Sequence, residues 1–208
     1  MRAKTLENLY DKKFITFPFG GLWERAFGTP ETTGCWIVYG AEKNGKTWFS
    51  LKLAEYLSTF TRVLYVSAEE GTGKNFVDTC RRAALQVANT KALHFEDYIP
   101  LEELDARLGK RKAPRIVVLD NLTIYADELR APELTALLLK HPDTLFVFVA
   151  HEEKGQPYTA IAKRVRKLAK AIVQVKGLTA FISGRCPGGA LTIDETKAAL
   201  YWGQPAES

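Results

Sequence analysis

Cysteine is scarce in this sequence, and none of it has the spacing of a metal or redox motif. The three cysteines, Cys35, Cys80 and Cys186, are odd in number, far apart, and outside any Cys-x-x-Cys or Cys/His pattern. A secreted scaffold held by disulfide bonds carries paired cysteines at recurring spacings. The sequence therefore predicts a protein of the reducing cytoplasm that folds without disulfides or structural metal.

Long apolar runs are also missing. The most apolar stretch, residues 134 to 150, is interrupted by the polar segment 140–143, whereas a transmembrane helix needs about 20 consecutive apolar residues. Residues 1–5 are charged and no apolar segment of a signal peptide follows them. We therefore expect a soluble, cytoplasmic protein with no membrane partner.

What the sequence does contain is typical of a globular α/β protein. Its 208 residues are 46% hydrophobic and 11% aromatic, which is enough for one sizeable core. We expect an N-terminal lead-in, residues 1–33, packed on a main domain, residues 34–208. The formal net charge of +5 favours an anionic partner, although mild basicity is common.

The most informative stretch is an apolar strand, residues 35–39, followed by a glycine-containing loop and a helix over residues 48–57. The loop matches G-x-x-x-x-G-K-[ST] at every fixed position. Such a loop aims several backbone N–H groups at one anion, and the helix after it adds the positive end of its dipole. We predict that it binds a nucleotide phosphate through Gly40, Ala41, Glu42, Lys43, Asn44, Gly45, Lys46, Thr47 and Trp48.

Three further apolar strands each end in a polar side chain. Residues 62–68 end at Glu69 and Glu70, residues 115–121 contain Asp120, and residues 145–150 end at His151. Parallel strands place such residues at one edge of a sheet. Following a complete phosphate loop, the run ending in Asp120 has the Walker B arrangement, so Thr47 and Asp120 are the predicted Mg²⁺ ligands.

The remaining segments predict helices flanking the sheet and a strand-rich tail. We expect helices over residues 6–10, 75–87, 101–108, 132–140 and 159–170, with residues 152–157 as a polar loop. Short apolar runs separated by turns predict an antiparallel meander made of residues 172–176, 178–183, 190–193 and 198–202.

Five of these pieces, in this order, resemble the RecA-like branch of P-loop ATPases, which includes RadA-type proteins, replicative hexameric helicases and plasmid RepA-type helicases. They are the loop 40–47, the strand ending at Glu69, the strand ending at Asp120, the strand ending at His151, and a hairpin bearing Ser183-Gly184-Arg185. The resemblance implies a mostly parallel sheet flanked by helices, with ATP and Mg²⁺ as ligands. It also implies Lys46 as a phosphate contact and Glu69 as the catalytic base, with Glu70 as the competing candidate.

Two further roles follow from the same resemblance. His151 is similar to the residue that senses the γ-phosphate, although a histidine that merely closes a strand has the same pattern. Arg185 is similar to the arginine that ring-forming and filament-forming ATPases insert into a neighbour's site, which implies self-association. The family commonly has a lysine two residues earlier, where this chain has Ser183, so an exposed hairpin arginine is the alternative.

In RecA-like proteins the segment after the fourth strand contacts DNA, and here a basic helix follows it. Its cations can neutralise backbone phosphates of single-stranded DNA, or they can form an ordinary solvated face. The first hypothesis is therefore an ATPase of DNA replication or recombination, with a helicase core as one form of it, working with proteins of those pathways. The second is a nucleotide-dependent switch or loader acting on another protein, and a small-molecule kinase is disfavoured. The cations concerned are Lys163, Arg164, Arg166, Lys167 and Lys170.

Overall fold

A computed structural model describes residues 3–203. These residues form nine strands and eight α-helices, plus two short 3₁₀ segments over residues 87–89 and 122–125. The strands are β1 (Gly34–Gly40), β2 (Val63–Ser67), β3 (Leu93–Glu96), β4 (Ile116–Asp120), β5 (Leu145–Glu153), β6 (Gln156–Pro157), β7 (Ala171–Lys176), β8 (Thr179–Gly184) and β9 (Gly189–Thr192). The helices are α1 (Leu6–Tyr10), α2 (Gly21–Phe27), α3 (Lys46–Ser58), α4 (Lys74–Arg82), α5 (Leu101–Leu108), α6 (Ala131–Lys140), α7 (Ala160–Leu168) and α8 (Glu195–Trp202).

One sheet organises the described chain, in the order β3-β2-β4-β5-β1-β7-β8-β9, with β6 paired to β5. The first six strands of this order are parallel, and β8 and β9 continue the sheet in antiparallel fashion. The predicted α/β class, with a mostly parallel sheet and antiparallel strands after it, is confirmed.

Helices cover both faces of the parallel part, which explains why its strands are almost entirely apolar. Along β1, Trp36 and Val38 face the core that contains α3, whereas Ile37 and Tyr39 face the core that contains α5, α6 and α7. All four side chains are buried. Because β1 lies between β5 and β7, the loop that follows β1 emerges near the centre of the sheet.

The N-terminal lead-in divides into two parts. Phe17, Phe19 and Phe27 are buried, and Trp23 stacks on Tyr56 of α3 with the ring centroids 5.0 Å apart. In contrast, residues 3–16 contribute no buried side chain. Residues 17–27 therefore belong to the core that also contains α3, while α1 lies outside it.

Several element predictions were wrong in detail. Residues 198–202 belong to helix α8 and not to a strand, because the Asp194 side chain caps the helix by accepting a hydrogen bond from the Lys197 N–H. Helix α4 ends at Arg82, five residues before the predicted end, and helix α7 ends at Leu168. The predicted loop 152–157 is largely strand, since β5 and β6 pair as a hairpin.

Across the described range, no helix combines the length and the apolar character that crossing a bilayer requires. The longest of them, α3, has 13 residues.

Candidate functional site

A cavity of about 640 Å³ opens where β1, β2, β4 and β5 end. Strand register explains the location, since Gly40 of β1 is level with His151 of β5, and Ser67 of β2 is level with Asp120 of β4. The polar residues that close these strands therefore meet at one edge. The cavity is lined by Glu42, Lys43, Gly45, Lys46, Thr47, Trp48, Glu69, Glu70, Thr79, Arg82, Asp120, His151, Leu178 and Lys197.

The loop between β1 and α3 forms one wall of this cavity. Gly45 caps α3 with a φ of 96°, a conformation that L side chains rarely adopt. Lys46 is only 8% exposed, and its Nζ donates a hydrogen bond to the Ala41 carbonyl oxygen at 2.9 Å. Burial lowers the pKa of the Lys46 ammonium, while Asp120 and Glu69 oppose this shift. The loop thus holds a desolvated cation at the start of a helix, which suits a phosphate.

Asp120 lies beneath this loop and is 7% exposed. Tyr65 of β2 donates a 2.6 Å hydrogen bond to Asp120 Oδ2, and Thr47, whose hydroxyl can also donate, lines the same cavity. Burial raises the pKa of Asp120 to about 6, against the effect of these two donors. A hydroxyl and a carboxylate that line one cavity offer the oxygen ligands that Mg²⁺ prefers, so the Thr47–Asp120 pair fits the predicted metal. A divalent cation there would favour the ionised carboxylate.

Glu69 is positioned from two sides. Its Oε2 accepts a 2.5 Å hydrogen bond from Asn121 Nδ2, and its Oε1 lies 3.3 Å from His151 Nε2. The backbone brings these groups together, because the Ala68 and Glu69 N–H groups point at the Asp120 carbonyl oxygen. The Glu69 side chain is 45% exposed and lines the cavity, so it remains open to a water molecule there.

Glu70, the competing candidate for the base, also lines the cavity and is exposed. Within residues 3–203 its carboxylate has no side-chain hydrogen-bond partner, in contrast to that of Glu69. Residue identity alone does not separate two adjacent glutamates. The contacts of Asn121 and His151 favour Glu69.

Sequence reasoning missed several residues of the site. Asn121 directly follows Asp120, and its Oδ1 accepts a hydrogen bond from the Thr123 N–H, so the local sequence carried an asparagine-turn signal. Arg82 of α4 and Lys197 of α8 also reach the cavity, and Lys197 Nζ lies 4.9 Å from the centroid of the Trp48 ring. No local sequence pattern predicts that Arg82 and Lys197 belong to the site, because tertiary packing alone brings α4 and α8 to the loop.

A turn between β7 and β8 holds the loop from behind. Asn44 Oδ1 accepts a 2.8 Å hydrogen bond from the Gly177 N–H, and the Asn44 carbonyl oxygen accepts one from the Leu178 N–H at 3.2 Å. The Leu178 side chain closes this contact, since a Cβ built on Gly45 would lie 2.6 Å from Leu178 Cδ2. The antiparallel extension thus fixes the loop geometry.

Arg185 does not line this cavity. It is exposed and follows β8, whose end at Gly184 is level with Ala171 at the start of β7. Because Ala171 is level with Trp36, and the loop begins after Gly40, Arg185 lies about 13 Å or more away along the strand direction. Within one chain the arginine and the phosphate loop therefore lie at opposite ends of the strands.

The basic helix α7 is partly engaged in contacts within the chain. Arg166 hydrogen-bonds Gln156 Oε1 at 2.5 Å and lies over the Tyr39 ring, and Lys170 Nζ forms a 2.8 Å ion pair with Glu31. The remaining three cations of the predicted DNA-contacting set, Lys163, Arg164 and Lys167, are exposed.

Comparison with known proteins identifies the fold but gives no closer relationship. No family model matches the chain, and no curated protein matches it. Among solved structures, the flagellar accessory protein FlaH from Methanocaldococcus jannaschii superposes with a TM-score of 0.62 at 14% identity, covering 88% of this chain and 96% of that one. A KaiC-like protein from Pyrococcus horikoshii OT3 gives a TM-score of 0.58 at 16% identity, covering 84% and 88%.

At identities this low, these two structures are evidence for the fold alone. The fold is the RecA-like fold of P-loop ATPases, with helices on both faces of a mostly parallel sheet and antiparallel strands at its C-terminal side.

Proposed function

We propose that this protein binds ATP with Mg²⁺ and hydrolyses it, as a cytoplasmic ATPase of DNA replication or recombination. The observation that carries the proposal is that one cavity collects Lys46, the Thr47–Asp120 pair and the Glu69 carboxylate. Transfer of a phosphoryl group to water depends on charge stabilisation and on an oriented nucleophile. These residues supply both.

Each residue has a distinct task in this proposal. The Lys46 ammonium, now bonded to the Ala41 carbonyl oxygen, would contact phosphate oxygens, and Thr47 and Asp120 would hold Mg²⁺, which would neutralise developing charge. Glu69 orients a water molecule and accepts its proton. Asn121 and His151 are positioning residues, since they fix the two oxygens of that carboxylate.

The direct test is nucleotide binding by a Lys46→Ala variant, measured by calorimetry with ATP and Mg²⁺. We expect at least a tenfold loss of affinity and no turnover, because a buried cation that faces the phosphates is removed. Lys52→Ala is the matched control, since it removes the same charge farther along α3. If wild-type protein of normal thermal stability takes up no nucleotide, the proposal is wrong.

Self-association belongs to the same proposal. An arginine at the far edge of the sheet reaches a nucleotide only when it comes from another copy, and a head-to-tail interface satisfies this geometry. Arginine suits the task because its planar, permanently charged group can contact two phosphate oxygens.

For single-stranded DNA we propose contact through Lys163, Arg164 and Lys167, the cations of α7 that remain exposed. Three contacts to a single strand correspond to a salt-dependence slope of about −2 in log K against log[salt]. Replacing Lys163 and Lys167 by glutamine should reduce the magnitude of this slope by about 1.4 in an anisotropy titration with an oligothymidine. An unchanged slope would remove α7 from the proposal.

The runner-up function is a nucleotide-dependent switch or loader with slow hydrolysis and a protein as its main ligand. Ser183 stands where the family commonly has a lysine, and a single copy has no Arg185 at its own cavity. Turnover per chain that stays slow and independent of both protein concentration and DNA would favour the switch over the DNA-dependent ATPase.

A further inference from the structure

A second concave site lies at the end of the strands opposite to the phosphate loop. It has a volume of about 520 Å³, within the range of small-ligand sites. We refer to it as the basic cleft, and its lining residues that matter here are Arg62, His94, Glu103, Arg107, Lys110 and Lys112.

Backbone contacts fix the shape of the basic cleft. The Arg62 carbonyl oxygen accepts hydrogen bonds from the Arg115 and Ile116 N–H groups, and Arg62 Nη2 donates to the Ala113 carbonyl oxygen at 3.3 Å. The Ala113 N–H in turn donates to the Lys110 carbonyl oxygen at 3.0 Å. The segment after α5 is thereby tied to the start of β2, and it presents Lys110 and Lys112 at the rim.

The charges in the cleft are unbalanced. Arg107 has a partner in Glu96 at 2.7 Å, whereas within residues 3–203 Lys110 and Lys112 enter no ion pair. Among the described residues that line the cleft, Glu103 is the only one with a carboxylate. Arginine and lysine donate hydrogen bonds and accept none, so the rim suits an acceptor-rich anion. Val63, Leu64 and Pro114 add an apolar floor.

The cleft is separate from the ATPase cavity. Arg62 precedes β2 and Glu69 follows it, so about 17 Å of strand lies between the two sites. In the part of the chain that the structure describes, no residue lines both cavities. A ligand at the cleft therefore does not depend on the phosphate loop.

We infer that the basic cleft binds a chain of phosphates, with Arg62, Lys110 and Lys112 contacting adjacent phosphate groups. Two sources share this chemistry: the backbone of a single-stranded nucleic acid and a free polyphosphate compound of nucleotide size. Several adjacent phosphates match several separated cations better than one carboxylate or one phosphate does.

The test uses the double variant Lys110→Gln/Lys112→Gln of the full chain. One arm titrates a fluorescein-labelled 20-residue oligothymidine by anisotropy at 50 and 200 mM salt. The other arm titrates inorganic tripolyphosphate by calorimetry, with Lys46→Ala present in every protein so that the phosphate loop does not compete. We expect about a tenfold loss of affinity in at least one arm. In the first arm the magnitude of the slope of log K against log[salt] should also decrease by about 1.4.

The matched control is Lys12→Gln/Lys13→Gln, which removes two exposed lysines outside the cleft. A selective loss in the oligothymidine arm identifies a nucleic acid strand as the ligand, and a loss confined to tripolyphosphate identifies a free compound. If neither probe distinguishes the cleft variant from the control, the inference is wrong. Failure of the ATPase proposal leaves this result unaffected, because neither arm depends on ATP.

Discussion

At the residue scale, the contacts of Glu69 are the reason why we propose it, and not the adjacent Glu70, as the base. A carboxylate that is hydrogen-bonded by Asn121 and lies beside His151 keeps one orientation, whereas the Glu70 side chain has no such partner within residues 3–203. An orienting hydrogen bond reduces the rotamer freedom that would otherwise be lost in the transition state.

Glu69→Gln should therefore retain ATP binding and lower the turnover number by about 100-fold, because the amide can hydrogen-bond the water but cannot accept its proton. Single-turnover hydrolysis and calorimetric titration separate the two effects. Glu70→Gln, which changes the same charge one residue away, should lose less than threefold. The reverse pattern would assign the base to Glu70.

Gly45 combines two constraints that a second glycine allows us to separate. Both Gly45 (φ 96°) and Gly155 (φ 77°) are left-handed, but an added Cβ at Gly45 meets Leu178, while one at Gly155 has no described residue within 4 Å. Gly155→Ala should cost about 1 kcal/mol of backbone strain, and Gly45→Ala should cost about 1–3 kcal/mol more.

Thermal unfolding of the two glycine variants measures this difference, at about 2–4 °C per kcal/mol for a chain of this length. Equal unfolding midpoints would mean that the Leu178 side chain moves away from the added Cβ without a cost in stability. In that case the turn between β7 and β8 would not hold the phosphate loop as described.

At the scale of elements, an ionic contact joins α5 to the end of α6. Asp105 hydrogen-bonds Lys140, and its Oδ1 lies 2.8 Å from Nε2 of the buried His141. The hydrogen bond from Lys140 is the main cause, and that from His141 the next, of a lowered pKa for Asp105. A carboxyl whose pKa is lower in the folded state stabilises that state above its unfolded pKa of about 3.9, and this contribution is lost as the pH falls through the folded value.

Asp105→Asn should accordingly lower the unfolding midpoint at pH 7 by about 3 °C, which corresponds to about 1 kcal/mol. The difference from wild type should shrink as the pH falls below about 4. Calorimetric melts between pH 7 and pH 3 test this. A difference that is the same at every pH would mean that packing, not charge, is lost.

Elements with a strict local pattern were predictable from the sequence, and those with an ambiguous one were not. The loop 40–47 and the apolar strand that ends at Asp120 combine fixed residue types with the expected neighbours, and the structure brings both to one cavity. Residues 198–202 are five apolar and aromatic residues near turns, a pattern that a strand and a helix share. There the cap at Asp194 decides in favour of the helix.

At the scale of the whole molecule, the site has contributors that no local pattern could reveal. Lys197 is far from Trp48 in sequence, yet α8 carries it over that ring. Strand order is the reason, since β7, β8 and β9 extend the sheet beside β1 and carry α8 to the loop. The motifs predict which strands end at the cavity, but not which later helix covers it.

The position of Arg185 gives a prediction that concerns more than one copy. If sites are shared, Lys46→Ala and Arg185→Ala proteins should each be inactive alone, and an equal mixture should regain activity. In the mixture, the intact phosphate loop of an Arg185→Ala copy can face the intact Arg185 of a Lys46→Ala copy. Random mixing places such a pair at about a quarter of head-to-tail interfaces. ATP turnover of the mixture, with Ser183→Ala as a control that stays active, is the measurement. A mixture as inactive as its parts would argue for a site complete within one chain.

The place of β1 between β5 and β7 has a consequence for biosynthesis. The ribosome releases both strands that hydrogen-bond β1 more than a hundred residues after β1 itself. A nascent chain halted before Leu145 would leave residues 35–39 without a hydrogen-bonded strand on either side. Such a fragment would be a client for chaperones, and the phosphate loop would take shape only after β7 and β8 had been released.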